Sequence, residues 1–132
     1  MPDPEGDHPM QPDIRRIVAI DAHRRKTGRC PTVIHSLGTG ESFRIEPTTD
    51  GFIDLQSGRE VRCEPAGIVL QQSKTAIDTG FTGDVAFSGF DPLSRETFFG
   101  RAGGGATVTV YDERMVDYFQ YAVAEEPDVP PV

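Results

Sequence analysis

Apolar and polar residues alternate most clearly in the last fifty positions of the chain. Val108 and Val110 alternate with threonines before the charged turn at residues 112–114, and residues 118–123 then read Tyr-Phe-Gln-Tyr-Ala-Val. A strand places successive side chains on opposite faces, so this alternation predicts two paired strands with one face on a core. The region indicates an antiparallel β domain.

The same pattern of short runs separated by turn residues continues toward the N-terminus. The predicted strands are residues 17–21, 32–36, 42–45, 52–55, 60–63, 67–71, 84–90, 97–99, 106–111 and 118–123. Their spacing of roughly 8–12 residues predicts a single immunoglobulin-like β-sandwich with almost no helix. A small barrel satisfies the same pattern, and the chain shows no internal repeat.

Composition sets the predicted boundaries of this domain. The 132 residues, with 14 Gly and 11 Pro, suit one domain of many turns. Residues 1–13 hold four prolines and four acids and predict a disordered tail. The sandwich is expected over residues 14–126, followed by a Pro-rich tail at residues 127–132.

Charge is spread unevenly along the chain. The net charge is −8, which argues against nucleic acid as a partner. Residues 14–29 nevertheless hold six bases against one acid. The four bases at the end of this basic segment are predicted to contact an unknown acidic protein or a second copy of the chain. They are Arg24, Arg25, Lys26 and Arg29. Solvated charge is the alternative interpretation.

Cysteine and histidine usage predicts no metal or cofactor. Cys30 and Cys63 are 33 positions apart, and His35 stands in no metal-binding spacing with them. No signal peptide or transmembrane run is apparent, so we expect a cytoplasmic protein without membrane contact. Free thiols are then favoured over a disulfide, although two cysteines permit one.

The sharpest chemical motif is Asp78-Thr79-Gly80, which follows the apolar pair Ala76-Ile77. It resembles the catalytic turn of retropepsin-like aspartic proteases. That resemblance implies a dimer in which two copies of Asp78 share a proton, supported by Thr79 and Gly80. The family's apolar-apolar-Gly element comes only twenty residues later here, at residues 98–100, which leaves no room for a flap. The alternative is an ordinary β-turn between two strands.

Eight aromatic residues in the second half of the chain are expected to form core and cross-strand pairs. An exposed binding stripe is the alternative. The eight are Phe87, Phe90, Phe98, Phe99, Tyr111, Tyr118, Phe119 and Tyr121.

Several short motifs after residue 67 resemble small bacterial immunoglobulin-like proteins of the DP-EP type, a family without known function. They are the apolar strand at residues 67–71, Phe-x-Gly-Phe-Asp-Pro at 87–92, Thr-Val-Thr-Val-Tyr-Asp at 107–112 and Tyr-x-x-Tyr at 118–121. The resemblance implies a sandwich and no catalytic residue. We therefore expect a non-enzymatic binding or self-assembly module, with the dimeric peptidase as the alternative.

Overall fold

The ten strands form a closed antiparallel barrel. The computed structural model describes residues 10–125. The strands are β1 Val33–Ser36, β2 Ser42–Pro47, β3 Gly51–Asp54, β4 Arg59–Glu64, β5 Gly67–Leu70, β6 Thr75–Phe81, β7 Ala86–Asp91, β8 Glu96–Ala102, β9 Thr107–Asp112 and β10 Asp117–Ala124. Each strand pairs with its sequence neighbours, and β1 also pairs with β10, with Val33 opposite Ala124.

Closure by β1 and β10 makes the predicted immunoglobulin-like sandwich wrong. A sandwich packs two sheets with free edges, whereas every strand of this barrel has two hydrogen-bonded neighbours. Alternating strands bury one face in both architectures. In a sandwich a second sheet covers that face, whereas here a helix inside the barrel covers it.

Helix α1, Pro12–Thr27, fills the inside of the barrel. Its nine consecutive residues from Ile14 to Ala22 are all buried, which at 3.6 residues per turn means that the helix is enclosed on every side. It contacts β6, β8, β9 and β10. The core is therefore a set of apolar helix side chains packed against the inward residues of the strands.

The predicted strand at residues 17–21 is wrong, because this segment lies within α1. Ile and Val favour strands only weakly, and enclosure on all sides overrides that preference. The sequence marks both ends of the helix in the usual way, with Pro12 in the first turn, basic residues in the last turn and Gly28 after the last turn. Gly28 has φ 74° and donates its N–H to the carbonyl of Arg24 at 2.7 Å, which ends the helix.

Residues 10–13, which the sequence assigns to the N-terminal tail, are part of the described structure. Met10 is buried, and its backbone N–H donates to Oε2 of Glu96 at 3.3 Å. Pro12 and Asp13 belong to α1, so the helix begins two residues before the predicted boundary at residue 14. Residues 1–9 and 126–132, which hold the rest of both predicted tails, lie outside the described residues.

Two phenylalanines pack against glycines of the neighbouring strand inside the barrel. Phe98 lies opposite Gly89, and Phe87 lies opposite Gly100. All four side-chain positions face inward, and each ring occupies the space that a side chain on the paired glycine would take. Aromatic cover of glycine is one way in which a strongly curved sheet keeps its register.

Five hairpins at one end of the barrel share one turn conformation, which is the internal repeat that the sequence pattern did not reveal. Four of the turns have four residues and the β1–β2 turn has five, and in each turn the fourth residue has a positive φ. These residues are Gly40, Gly58, Lys74, Arg95 and Val116, with φ between 53° and 77°. We call this end, where α1 also begins, the upper end.

Val116 is the least suitable of these five residues. Its φ of 53° is a conformation that a β-branched side chain rarely adopts, and its side chain is exposed. Val116→Gly is therefore expected to raise the free energy of unfolding by about 1 kcal/mol, measured by urea denaturation. Val69→Gly on β5 is the control, because it removes the same side chain from an ordinary strand and should destabilise by about 1 kcal/mol. A loss of stability in Val116→Gly would contradict the expectation.

No helix in residues 10–125 is long and apolar enough to cross a membrane.

Candidate functional site

Two arginines from the start of α1 reach buried aspartates at the ends of strands. Arg16 donates from Nε to Oδ1 of Asp54 at 3.1 Å and makes a second bond from Nη2 to Oδ2. Arg15 donates from Nη2 to Oδ2 of Asp112 at 3.2 Å and to the carbonyl of Met10 at 3.0 Å. Both aspartates are essentially unexposed, so these pairs fix the helix within the barrel.

Each aspartate also holds its own turn. Asp54 accepts a bond from Oγ of Ser57 at 2.6 Å. Asp112 accepts the backbone N–H groups of Arg114 and Met115 at 3.0 and 3.1 Å. Asp91 occupies the same position in the β7–β8 turn and accepts from Ser94 Oγ at 2.8 Å. Asp54 and Asp112 thus connect their turns to the helix, whereas Asp91 bonds only within its own turn.

The same two arginines form part of a cavity at the upper end, which we call the mouth cavity. It has a volume of about 380 Å³ and lies between the start of α1 and strands β1, β2 and β10. The guanidinium carbon of Arg15 lies 3.6 Å from the ring centroid of Phe119, and that of Arg16 lies 3.9 Å from the centroid of Phe43. Guanidinium groups and aromatic rings therefore line one small space.

A second feature is an apolar patch on the outside of β7–β10. We call it the aromatic face, and it comprises Phe90, Leu93, Phe99, Tyr111, Val116 and Tyr118. Phe99, Tyr111 and Tyr118 stand directly opposite one another on three neighbouring strands. The rings of Tyr111 and Tyr118 have centroids 4.7 Å apart. Beside them is a shallow groove of about 400 Å³ that includes Arg101.

The aromatic residues are divided between the core and this face. Phe87, Phe98 and Tyr121 are buried as predicted, but Phe90, Phe99 and Tyr118 are 40%, 43% and 67% exposed. Phe99 and Tyr118 are cross-strand neighbours of Tyr111, as predicted, but on the outer face and not in the core. Phe90 lies opposite Asp78 and Thr97, so the prediction is wrong for this residue. Residues 98 and 99 are adjacent in a strand and must face opposite sides, which is the signal that reveals an outward row.

The four bases at the end of the basic segment lie at the other end of the barrel, where α1 ends. Arg25 donates to the carbonyl groups of Glu64, Pro65 and Gly67 at 2.5–3.1 Å, and its Nε donates to Oδ2 of Asp21 at 2.6 Å. Lys26 donates to the carbonyl of Asp84 at 2.5 Å. These two side chains hold the helix to the loops between strands.

The remaining predicted contact residues are Arg24 and Arg29. Nη2 of Arg29 lies 2.5 Å from Oε2 of Glu125, on exposed side chains. An acidic residue at the end of β10 therefore meets this base within one chain rather than in a second copy. The prediction of a docking site around Arg24 stays a prediction, but Arg25 and Lys26 have structural partners.

Asp78 lies in the middle of β6 and not in a turn. Its side chain is exposed on the outside of the barrel, opposite Gly67 on β5 and Phe90 on β7, whereas Thr79 points inward and is buried. Both interpretations of the motif as a turn are therefore wrong. A shared-proton pair would need two outer faces of β6 to meet, and the exposed position of Asp78 gives that chemistry no support.

The cysteines are unpaired and partly buried. Burial raises the pKa of Cys30 to about 11 and that of Cys63 to about 12, so both thiols are protonated at neutral pH and poor nucleophiles. His35 accepts or donates a bond with Ser42 Oγ at 2.6 Å on the barrel exterior. In residues 10–125 no three His, Cys, Asp or Glu side chains are grouped to hold a metal ion.

Compared with known protein families, with curated proteins and with solved structures, the chain gives no match. The resemblance to the DP-EP family therefore gains no support, and the sandwich that it implied is not the fold.

Proposed function

We propose that the protein is a non-enzymatic binding module that pairs with a second copy of itself through the aromatic face. The observation that carries the proposal is the distribution of large exposed apolar side chains. Five of the eight such residues in the described part of the chain belong to this face; the other three are Leu37, Leu55 and Met115, and Met115 lines the mouth cavity. Apolar exposure concentrated on one side of a small protein is typical of an interaction surface.

The closed barrel restricts how a partner can dock. Every strand of residues 33–124 already has two neighbours, so no edge is open for an added strand. Binding must then use side chains on the outside of the sheet. Phe99, Tyr111 and Tyr118 form a row of rings on rigid strands, and such aromatic anchors commonly dominate the free energy of binding.

Charge around the aromatic face suits a copy of the same face. Arg101 lies beside the row of rings, and the exposed acids Glu113 and Asp117 flank its upper end. In a two-fold symmetric contact each copy presents the same patch, so the base of one copy can face the acids of the other. A patch that has aromatic rings at its centre and both positive and negative side chains at its margin is self-complementary.

The proposal is tested by sedimentation equilibrium at several protein concentrations. Wild type is expected to show a dimer that persists in high salt, because burial of the rings dominates the contact. The double variant Phe99→Ser/Tyr118→Ser should be monomeric. Leu37→Ser/Leu55→Ser is the matched control, since it removes two side chains of similar exposure from other parts of the barrel, and it should remain dimeric.

Two outcomes would overturn the proposal. One is a wild-type monomer at all concentrations up to about 1 mM, the weak limit of a specific contact. The other is a dimer that the Phe99/Tyr118 variant leaves intact. A dimer that dissociates in high salt would instead favour a contact through the basic segment.

A further inference from the structure

We infer that the mouth cavity binds a small carboxylic acid with an apolar body. This binding site is separate from the contact proposed for the aromatic face, and either could exist without the other. Its volume of about 380 Å³ is within the range of small-molecule sites, and barrel mouths are common places for them.

The first argument is a buried arginine at the cavity wall. The side chain of Arg15 is 5% exposed, and its Nε is buried without a hydrogen-bond partner. The bonds of this side chain to Asp112 and Met10 are made by Nη2. Arg15 lines the mouth cavity, so the positive charge of its guanidinium lies at the wall of that cavity.

The second argument is the arrangement of charge. Asp54 and Asp112 bind the arginines from the side away from the cavity and do not contribute to its lining, so the cavity itself meets the cationic groups. Arg16 uses Nε and Nη2 for Asp54, which leaves its Nη1 edge for another acceptor. Planar guanidinium groups match carboxylates, and the start of α1 adds a favourable dipole.

The third argument is the apolar lining around the arginines. The guanidinium groups are surrounded by four apolar side chains: Met10, Phe43, Met115 and Phe119. The outer rim of the cavity is formed by Thr39 and Glu41. An alkyl chain or an aromatic ring fits this lining, whereas a fully polar anion such as phosphate would leave it unmatched. The ligand class is therefore a small acid with an apolar body.

The test uses octanoate as the probe, with octanol and octylamine as uncharged and cationic analogues. Isothermal titration calorimetry with the wild-type chain is expected to show saturable binding of octanoate at least tenfold tighter than that of octanol. No binding of octanoate, or equal binding of octanoate and octanol, would overturn the assignment of a carboxylate site.

Two variants locate the site. Thr39→Trp places a large ring at the rim of the mouth cavity and is expected to weaken octanoate binding at least tenfold. Ser73→Trp is its matched control, because Ser73 holds the same third position in the β5–β6 turn, away from the cavity, and its binding should be unchanged. Equal effects of the two variants would place the ligand elsewhere.

Glu41→Gln gives an independent measurement should Thr39→Trp fail to fold. Glu41 is an exposed acid on the cavity rim, so its neutralisation leaves the core untouched. Octanoate is expected to bind a few-fold more tightly to Glu41→Gln than to wild type, and octanol should bind equally to both. An unchanged affinity for octanoate would contradict a carboxylate held at this mouth.

Discussion

Asp54→Ala is expected to lower the free energy of unfolding by about 3–5 kcal/mol, because it leaves the guanidinium of Arg16 buried without its counter-charge. Asp54 is unexposed and receives two bonds from Arg16. Urea denaturation monitored by circular dichroism measures the loss. The value would be large for a domain whose total stability is about 5–15 kcal/mol.

Asp91→Ala is the matched control for this variant. Asp91 holds the same position in its turn and is equally buried, but it accepts its bonds from Ser94 and the backbone of Leu93 within that turn. Loss of these bonds should cost only about 1–2 kcal/mol. The double variant Arg16→Met/Asp54→Leu should recover much of the loss, since apolar replacement of a buried pair is often tolerated. Equal losses for Asp54→Ala and Asp91→Ala would refute a special role for the arginine.

Gly100→Ala is expected to destabilise the barrel by about 3 kcal/mol, the upper part of the usual range for overpacking. An added Cβ would lie 2.6 Å from Cε1 of Phe87 and would overlap both Cζ of that ring and the carbonyl oxygen of Thr109. The ring could turn aside, but the backbone carbonyl belongs to the sheet and cannot. Thermal and urea unfolding both measure the effect.

Gly80→Ala provides the comparison for this substitution. Gly80 also lies within a strand, yet an added Cβ there meets nothing within 4 Å. Because alanine restricts the unfolded chain, Gly80→Ala should leave stability unchanged or raise it by up to about 1 kcal/mol. The covering role of Phe87 would be wrong if the two alanine variants had the same stability.

Nine of the ten strands were predictable within a few residues, because one buried face leaves an alternating pattern. The exception is β6, where Asp78-Thr79-Gly80 has the composition of a turn. Gly80 is also compatible with a strand, because it lies on the outer side, where no neighbouring group packs against this position. Local composition therefore misled the prediction at the one place where it suggested chemistry.

The helix and the closure of the barrel could not be derived from that pattern. An enclosed helix has apolar residues in all directions and thus no amphipathic period, which left Ile17 and Val18 looking like strand residues. Pro12, the bases of the last turn and Gly28 were the available signals. Pairing of β1 with β10 depends on which strands meet in space. The alternation within a strand does not indicate which other strand will be its neighbour.

The candidate sites were only partly predictable for a related reason. The outward position of Phe99 follows from the inward position of its neighbour Phe98, so the aromatic face could have been predicted from the sequence. The mouth cavity was not, because it joins Arg15 and Arg16 to Phe43 and Phe119, residues far apart in the chain. Their proximity is a property of the closed barrel alone.

The pairing of Val33 with Ala124 also determines when this protein can fold. A contact between residues so distant in sequence forms late, and folds dominated by such contacts reach the native state in milliseconds to seconds. During translation α1 leaves the ribosome before every strand, yet it is enclosed only after β10 has been made. Until then its isoleucines remain accessible to other chains and to chaperones. The segment that forms the centre of the finished molecule is thus the last to be protected from water.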